Sequence, residues 1–162
     1  MRLLGKLTKR TRADKERSGA TIAETAVVLP VFFVILFGFI EFGHVFMTIH
    51  TLNSAARRAT RLGVSETAKT ANVVTLATLV VSSAIPAARA TILVKNGDAF
   101  EVTGMDASTV NYAALPDIEL STAERRQLFI VRVSVPYSDI AILGPRWLGG
   151  LTVYGQSVMR KE

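Results

Sequence analysis

The chain has 162 residues, of which 49% are hydrophobic and 20% charged, which is enough for one modest domain. The formal net charge is +6, but residues 1–18 hold seven Lys/Arg against two Asp/Glu, so the rest is nearly neutral. A nucleic-acid-binding domain carries positive charge on a folded face, and this distribution argues against one. The lack of cysteine excludes disulfide scaffolds, thiolate metal sites and cysteine nucleophiles, and two histidines are too few for a histidine-rich metal site.

An apolar run near the N-terminus predicts a membrane span. Residues 25–40 carry no charge and are flanked by Glu24 and Glu41. As a helix this run covers about 24 Å, less than the hydrocarbon core of roughly 30 Å, so residues 20–23 or 42–47 must also contribute. A removable secretory signal would have a shorter apolar region and a small-residue cleavage site after it. The sequence therefore predicts one transmembrane helix.

The charges and the proline of this region predict its topology and shape. Lys and Arg cluster before the helix and are fewer after it, which places the N-terminus in the cytoplasm and the remainder outside. Pro30 has no amide hydrogen to donate to Ala26, so we expect a kink or a loosened turn there.

The helical pattern continues beyond the membrane. Apolar residues recur at helical spacing and polar ones fall on the other side, so one helix is predicted over residues 20–62. The apolar positions are Val45, Ile49, Leu52, Ala56 and Ala59, and the polar ones are His50, Ser54, Arg57 and Arg61. Arg57, Arg58 and Arg61 suit anionic lipid, an acidic partner or a solvated helix face, and the sequence leaves these open.

A second helix is predicted over residues 67–85. Val73, Ala77, Val80 and Ala84 mark one face, and Pro86 ends the pattern. Thr, Asn and Ser interrupt the apolar run, so insertion into a membrane would be weakly driven. A helix packed on the first is favoured over a second span.

The rest of the chain is typical of strands. Residues 90–94 and 99–103 flank an Asn96-Gly97 pair, the strongest short hairpin signal, and Phe129 to Val135 alternate as a half-buried strand. Residues 151–159 suit its antiparallel partner, giving about four strands. The intervening loop is predicted to fold back, with apolar residues that cap the core or touch the membrane or a partner. These are Ile140, Ile142, Leu143, Trp147 and Leu148.

Motifs for catalysis or metal binding are lacking in the sequence. It has no glycine-rich phosphate loop, no G-x-S-x-G elbow and no HExxH. Glu41 and His44 have i, i+3 spacing, half of a carboxylate-histidine metal arrangement, but the other half is absent, and interfacial solvation or a helix-helix hydrogen bond is favoured. We expect no enzyme activity, cofactor, metal or small-molecule substrate.

The junction between the basic leader and the apolar helix resembles the processing site of type IV prepilins and pseudopilins. Arg17 and Ser18 precede Gly19, and Glu24 is the fifth residue after that glycine. In that family a prepilin peptidase cuts after the glycine on the cytoplasmic side. The resemblance implies a cut between Gly19 and Ala20.

Glu24 is the acidic residue of this motif. A carboxylate deep in a bilayer costs ~3 kcal/mol, less near an interface, and usually has a partner. Cleavage would create an ammonium group on Ala20, one helical turn away. The resemblance implies that Glu24 pairs with that ammonium between subunits and sets their axial register. The alternative is a carboxylate at headgroup level without a specific partner.

A wider resemblance is to the TadE-like family, small single-pass proteins of Tad (Flp-type) pilus systems. It covers residues 17–64 and 128–162, and is carried by AETAVVLPVFFVILFGFIEFGHVFM, LNSAARRATRLGV, LFIVRVSVPYSDI and LTVYGQSVMRKE. Ala20 stands where type IV pilins have a phenylalanine that becomes N-methylated, and Thr25 where the small Flp pilins have a tyrosine. These departures, and the greater length, indicate a minor pilin-like component.

The expected fold is α+β and pilin-like, with a basic leader at 1–19, a membrane-spanning and then amphipathic helix at 20–62, and an extracytoplasmic domain at 63–162. The resemblance implies a bacterial inner-membrane pseudopilin whose partners are lipid, a prepilin peptidase, other pilin-like subunits and the Tad assembly machinery. The alternative is an uncleaved, signal-anchored protein whose outer domain binds a ligand or an envelope partner.

Overall fold

The structure is a computed structural model that describes residues 12–102, 104, 106, 107, 109–142 and 150–162, with the backbone alone for residues 12–18. Two α-helices and three antiparallel strands lie within these described residues, which confirms the α+β prediction. They are α1 (Arg12–Val64), α2 (Thr70–Ser82), β1 (Thr91–Asn96), β2 (Leu128–Pro136) and β3 (Thr152–Arg160), with short 3-10 helices between them. Residues 1–11 of the leader, and Leu143, Trp147 and Leu148 of the loop before β3, lie outside the described residues.

Contacts divide the chain into two compact units, Met1–Ile40 and Glu41–Glu162. We call them the N-terminal unit and the C-terminal unit. The described part of the N-terminal unit is the first portion of α1, whose large apolar side chains are exposed. The C-terminal unit holds the remainder of α1 together with α2 and the sheet, so residues 41–64 pack as part of a folded domain.

The sheet has the order β1-β2-β3, with antiparallel pairing throughout. β2 lies at its centre: Val94 pairs with Val131 on one side, and Val133 pairs with Gly155 on the other. The predicted alternation in β2 and its pairing with the last strand are confirmed. The described residues contain three strands where about four were expected.

The missing strand is the predicted hairpin partner at 99–103. Asp98–Glu101 forms a 3-10 helix instead, and Thr103 lies outside the described residues. The side chain of Asn96 accepts a hydrogen bond from the Asp98 amide at 2.7 Å, which is an Asx turn and starts this helix. Gly97 has a φ of −102°, so the left-handed conformation of a two-residue hairpin is absent, and β1 pairs with β2 instead.

The hydrophobic core joins α1, α2 and one face of the sheet. Its members include Leu52, Ala55, Ala56, Ala59, Val73, Ala77, Val81, Phe129, Val131, Val133 and Val135. The inward face of α2 was predicted to continue through Val80 and Ala84, but Val81 and Ile85 are buried and Ala84 is exposed. Steps of four residues from Val73 lead to Ala77 and Val81 on the buried face of α2. Because α2 ends at Ser82, the helical spacing does not apply to Ala84.

Glycine brings β3 very close to α1. A Cβ built on Gly155 would lie 2.3 Å from both the Leu52 carbonyl carbon and the Asn53 amide nitrogen. No side chain fits between the two backbones at this point. The alanines on the same face of α1 allow the same close packing.

The C-terminal end of α1 is closed by the residues that follow β3. The Lys161 side chain is almost fully buried, and its Nζ donates to the carbonyl oxygens of Gly63 and Ser65. The Glu162 amide donates to the Val64 carbonyl at 3.1 Å. A cation and an amide thus satisfy carbonyl groups at the negative end of the helix dipole.

The other face of β2 is also covered. Ile130 is buried, and the Arg132 guanidinium lies 4.0 Å from the ring centre of Tyr112 and 3.8 Å from that of Tyr154. Its Nη1 also donates to Gln156 Oε1 at 2.7 Å. The cation-π stack explains how a charged residue sits in the central strand.

Candidate functional site

The predicted processing segment lies within α1. Gly19, Ala20 and Glu24 are all helical and exposed. A Cβ built on Gly19 would meet nothing within 4 Å, so no contact among the described residues requires glycine there. Glycine costs a helix ~1 kcal/mol relative to alanine.

Glu24 lies one turn after Ala20 on α1. Both residues are exposed, so the carboxylate can be approached by another chain. The adjoining surface is an open apolar groove of ≈ 300 Å³ lined by Thr21, Ile22, Thr25, Ala26 and Leu29. The small side chains among them, those of Thr21, Thr25 and Ala26, leave room for a neighbouring helix to approach closely.

The apolar part of α1 has the properties of a membrane span. Within the described residues, one helix, Gly19–Val64, is long and apolar enough to cross a bilayer. Val27, Val34 and Phe39 are each 72% exposed, which is unfavourable in water and expected in lipid. This helix suggests a single-pass membrane protein.

Helix α1 continues without a break through Pro30. The proline removes one backbone donor, but residues on both sides keep helical structure. The expected kink or loosened turn at Pro30 stays a prediction.

Glu41 joins α1 to the rest of the C-terminal unit. Its side chain is 8% exposed, and Oε1 accepts a hydrogen bond from the Tyr137 hydroxyl at 2.5 Å. Oε2 accepts from the Ile142 amide at 3.2 Å. The expected interfacial solvation of Glu41 is therefore wrong: the segment that follows β2 covers the carboxylate. No group of three or more possible metal ligands occurs among the described residues.

The Glu41–Tyr137 contact escaped prediction because it joins residues far apart in the chain. The sequence offers one signal in retrospect. A carboxylate directly after a long apolar run needs a partner, and a tyrosine follows the strand-ending Pro136. A single sequence does not pair the two, since many hydroxyl groups are available.

Replacing Tyr137 with phenylalanine should lower the free energy of unfolding by about 2 kcal/mol at neutral pH. The ring stays, but the buried carboxylate loses a donor, and hydrogen bonds to charged groups typically contribute roughly 1.5–3 kcal/mol. Denaturant unfolding of the full chain in detergent micelles measures this difference. Tyr154→Phe, which removes the hydroxyl of a partly exposed tyrosine, is the matched control, and equal losses in both variants would contradict the assignment.

The stability of the wild-type and Tyr137→Phe chains should also depend differently on pH in the alkaline range. Burial, and then the hydrogen bond and charge of Glu41, raise the pKa of Tyr137 from 10.0 to about 12. The unfolded state ionises first, so the contribution of Tyr137 to stability is complete below pH ~10 and is lost as the pH rises to about 12. The Tyr137→Phe chain should lack this part of the alkaline decline.

The basic residues predicted on the outer half of α1 are exposed. Arg57, Arg58 and Arg61, with His50 and Ser54, line a groove of ≈ 360 Å³. The structure thus brings all the predicted polar positions of this helix face together. Glu24 and the arginines belong to different units of the chain.

Comparison with curated proteins and with solved structures gives no match. Residues 19–61 match the family model described as TadE-like protein. The match begins at Gly19 and covers the apolar helix, Glu41 and the three arginines of the groove. It confirms the resemblance to the TadE-like family for this part of the sequence, and together with the apolar N-terminal helix it fits a Tad-pilus-related membrane protein.

Proposed function

We propose that this chain is a TadE-like pseudopilin, a single-pass structural component that takes part in assembling a Tad/Flp-type pilus or a related secretion filament. The observation that carries the proposal is the family match over residues 19–61, which starts at the predicted cleavage glycine. The TadE-like family is structural and pilus-related, which supports a non-enzymatic role. The exposed apolar helix supports residence in a membrane, and its basic leader favours the bacterial inner membrane with a cytoplasmic N-terminus.

The folded contacts of Glu41 suggest where the membrane ends. A carboxylate bonded to the segment after β2 belongs to a folded domain, which the hydrocarbon core does not accommodate. We therefore place the span at residues 20–40. As a helix it covers roughly 31 Å, close to the thickness of the hydrocarbon core. Of the two extensions that the sequence allowed, this favours the N-terminal one and puts Glu24 near the cytoplasmic interface.

Processing would change the charge at that interface. Cleavage after Gly19 removes the basic leader and leaves an ammonium group on Ala20, four residues from the exposed Glu24. An ammonium group and a carboxylate at this spacing can pair within one helix or between neighbouring helices. We propose that Glu24 forms this pair with an adjacent pilin-like subunit and so fixes the axial register.

Replacing Gly19 with leucine should abolish shortening of the chain. The wild-type protein is produced with a matching prepilin peptidase, extracted from membranes, and its intact mass measured. We expect a wild-type chain that begins at Ala20 and a Gly19→Leu chain that keeps its leader, because the bulky side chain obstructs the cleaved peptide bond. Gly43→Leu is the matched control: Gly43 is also an exposed glycine of α1 with nothing within 4 Å of a built Cβ.

A wild-type chain that keeps its full length in the presence of the peptidase would overturn the proposal and favour the uncleaved, signal-anchored alternative.

A Glu24→Gln variant separates processing from assembly. We expect it to be shortened like the wild type but to lose cross-links, formed through a cysteine introduced near Ala20, to neighbouring pilin-like subunits. Retained cross-linking would count against the register role of Glu24.

A further inference from the structure

The outer half of α1 carries positive charge that no salt bridge among the described residues neutralises, although Arg57 Nε donates to the Asn53 carbonyl at 3.3 Å. Three other cations of the C-terminal unit form salt bridges: Lys95 pairs with Asp117, Arg125 with Glu66 and Arg160 with Glu101. Within the described residues, no carboxylate forms a salt bridge with any of Arg57, Arg58 or Arg61. These three, with His50, form what we call the basic stripe.

The basic stripe continues an exposed apolar line on the same helix face. At 100° per residue, Phe46, His50, Arg57 and Arg61 fall within a sector of about 60°. Phe42 and Phe46, one turn apart, are 66% and 61% exposed just below the stripe. A helix lying along this face would thus meet aromatic side chains first and then arginines one turn apart.

A second groove beside the stripe offers apolar contact. It has a volume of ≈ 570 Å³ and runs between α1 and α2. Met47 and Arg58 line it from α1, and Leu76, Leu79 and Val80 line it from α2. Leu79 is 67% exposed, although it belongs to a helix whose other face is in the core. This combination of a charged rim and an apolar floor suits a partner helix that is itself amphipathic.

Height above the membrane distinguishes a protein occupant from a lipid one. Even if the apolar segment ended as late as Met47, Arg57 and Arg61 would lie about 15 and 21 Å further along the helix. The headgroup layer on each side is only about 5–8 Å thick. The arginines therefore stand beyond the lipid headgroups, and an anionic lipid does not reach the upper part of the stripe.

Charge also distinguishes a different subunit from a second copy. Two copies of α1 packed in parallel through this face would set Arg57 and Arg61 against the same residues of the other copy. Like charges placed together at an interface oppose association. The complementary surface is a helix with carboxylates one turn apart.

We propose that the basic stripe and its groove bind the stem of another membrane-anchored subunit, a parallel helix that carries two carboxylates spaced i, i+4 opposite Arg57 and Arg61. This inference rests on the proposed function for the presence of such subunits. It names the chemistry of the contact: apolar packing on Phe46 and Leu79, and ion pairs above it. The ion pairs select an acidic stem over a second copy of this chain.

The test uses the full chain in detergent micelles and synthetic single-span peptides labelled for fluorescence energy transfer. One peptide carries two glutamates at the height of Arg57 and Arg61, a second carries glutamines and a third carries lysines. We expect the glutamate peptide to bind wild type about tenfold more tightly than the glutamine peptide, with the difference shrinking in high salt. Arg57→Glu/Arg61→Glu should reverse the preference and bind the lysine peptide.

Lys69→Glu is the control for a single Arg→Glu substitution, because it makes the same charge change as each of the two at an exposed position outside the groove. All the substituted residues are exposed, and unchanged thermal unfolding verifies that the variants fold. Equal binding of the glutamate and glutamine peptides would overturn the inference. Self-association of the wild-type chain that the Arg57→Glu/Arg61→Glu variant loses would also overturn it. A third such outcome is that this variant binds less phosphatidylglycerol in nanodiscs while its peptide binding is unchanged. Normal cleavage at Gly19 alongside any of these results would leave the proposed function standing.

Discussion

A Gly155→Val substitution should strongly destabilise the C-terminal unit. A Cβ at this position would lie 2.3 Å from two backbone atoms of α1, at Leu52 and Asn53, and neither atom can move aside as a side chain can. Overpacking a core typically costs roughly 1–3 kcal/mol, and a clash with a helix backbone belongs at or above the upper end of that range. We expect a loss of at least about 3 kcal/mol, measured as a lower midpoint of thermal or denaturant unfolding in detergent micelles.

Gly150→Val provides the matched control for Gly155→Val. Gly150 lies just before β3, and a Cβ built on it would meet nothing within 4 Å. The same substitution there should change stability by less than about 0.5 kcal/mol. If both variants unfolded at the same midpoint, the helix and the strand would not be in the close contact described.

Phe129→Ala should cost about 3–5 kcal/mol, the usual range for removing a buried phenylalanine side chain. Phe129 is fully buried, and its ring packs directly on the backbone of α1: a Cβ on Gly63 would lie 2.9 Å from Cε2 and Cζ of the ring. The substitution leaves a cavity between β2 and the end of α1. Protease resistance and the unfolding midpoint of the full chain both report the loss.

Phe100→Ala serves as the comparison for Phe129→Ala. Phe100 is half-buried and stacks on Tyr112 with ring centres 5.9 Å apart, away from α1. It should lose clearly less stability, because part of its ring is already in water. A loss as large as that of Phe129→Ala would mean that the main core does not centre on the contact between β2 and α1.

Periodicity predicted the parts of this fold in which one face is buried. The outer half of α1 and the alternation of β2 follow directly from the spacing of Leu52, Ala56 and Ala59 and of the valines between Phe129 and Val135. The hairpin at Asn96-Gly97 was wrong for a physical reason. The Asn96 side chain accepts a hydrogen bond from the Asp98 amide, and the chain turns into a 3-10 helix. The Asn-Gly pair by itself does not show whether an Asx turn or a hairpin will form.

Some residues of the candidate site could likewise be predicted from the sequence, and others could not. Gly19, Ala20 and Glu24 could be proposed from sequence because the resemblance to a prepilin processing site rests on a short, local motif. The partner of Glu41 could not, since Tyr137 reaches it only after the sheet has formed. The grouping of the basic stripe with Leu76 and Leu79 likewise needs the packing of α2 on α1, which a single sequence leaves open.

The contact between Gly155 and Leu52 also has a consequence for the order in which the protein can fold. The two residues are separated by about a hundred positions, and folds that depend on such distant contacts form slowly. In the orientation proposed above, the apolar face of α1 leaves the membrane first, whereas β3 and Lys161, which complete its cover, arrive last. Export of the segment between them is therefore the period in which this face is open to proteases and to association with the wrong chain.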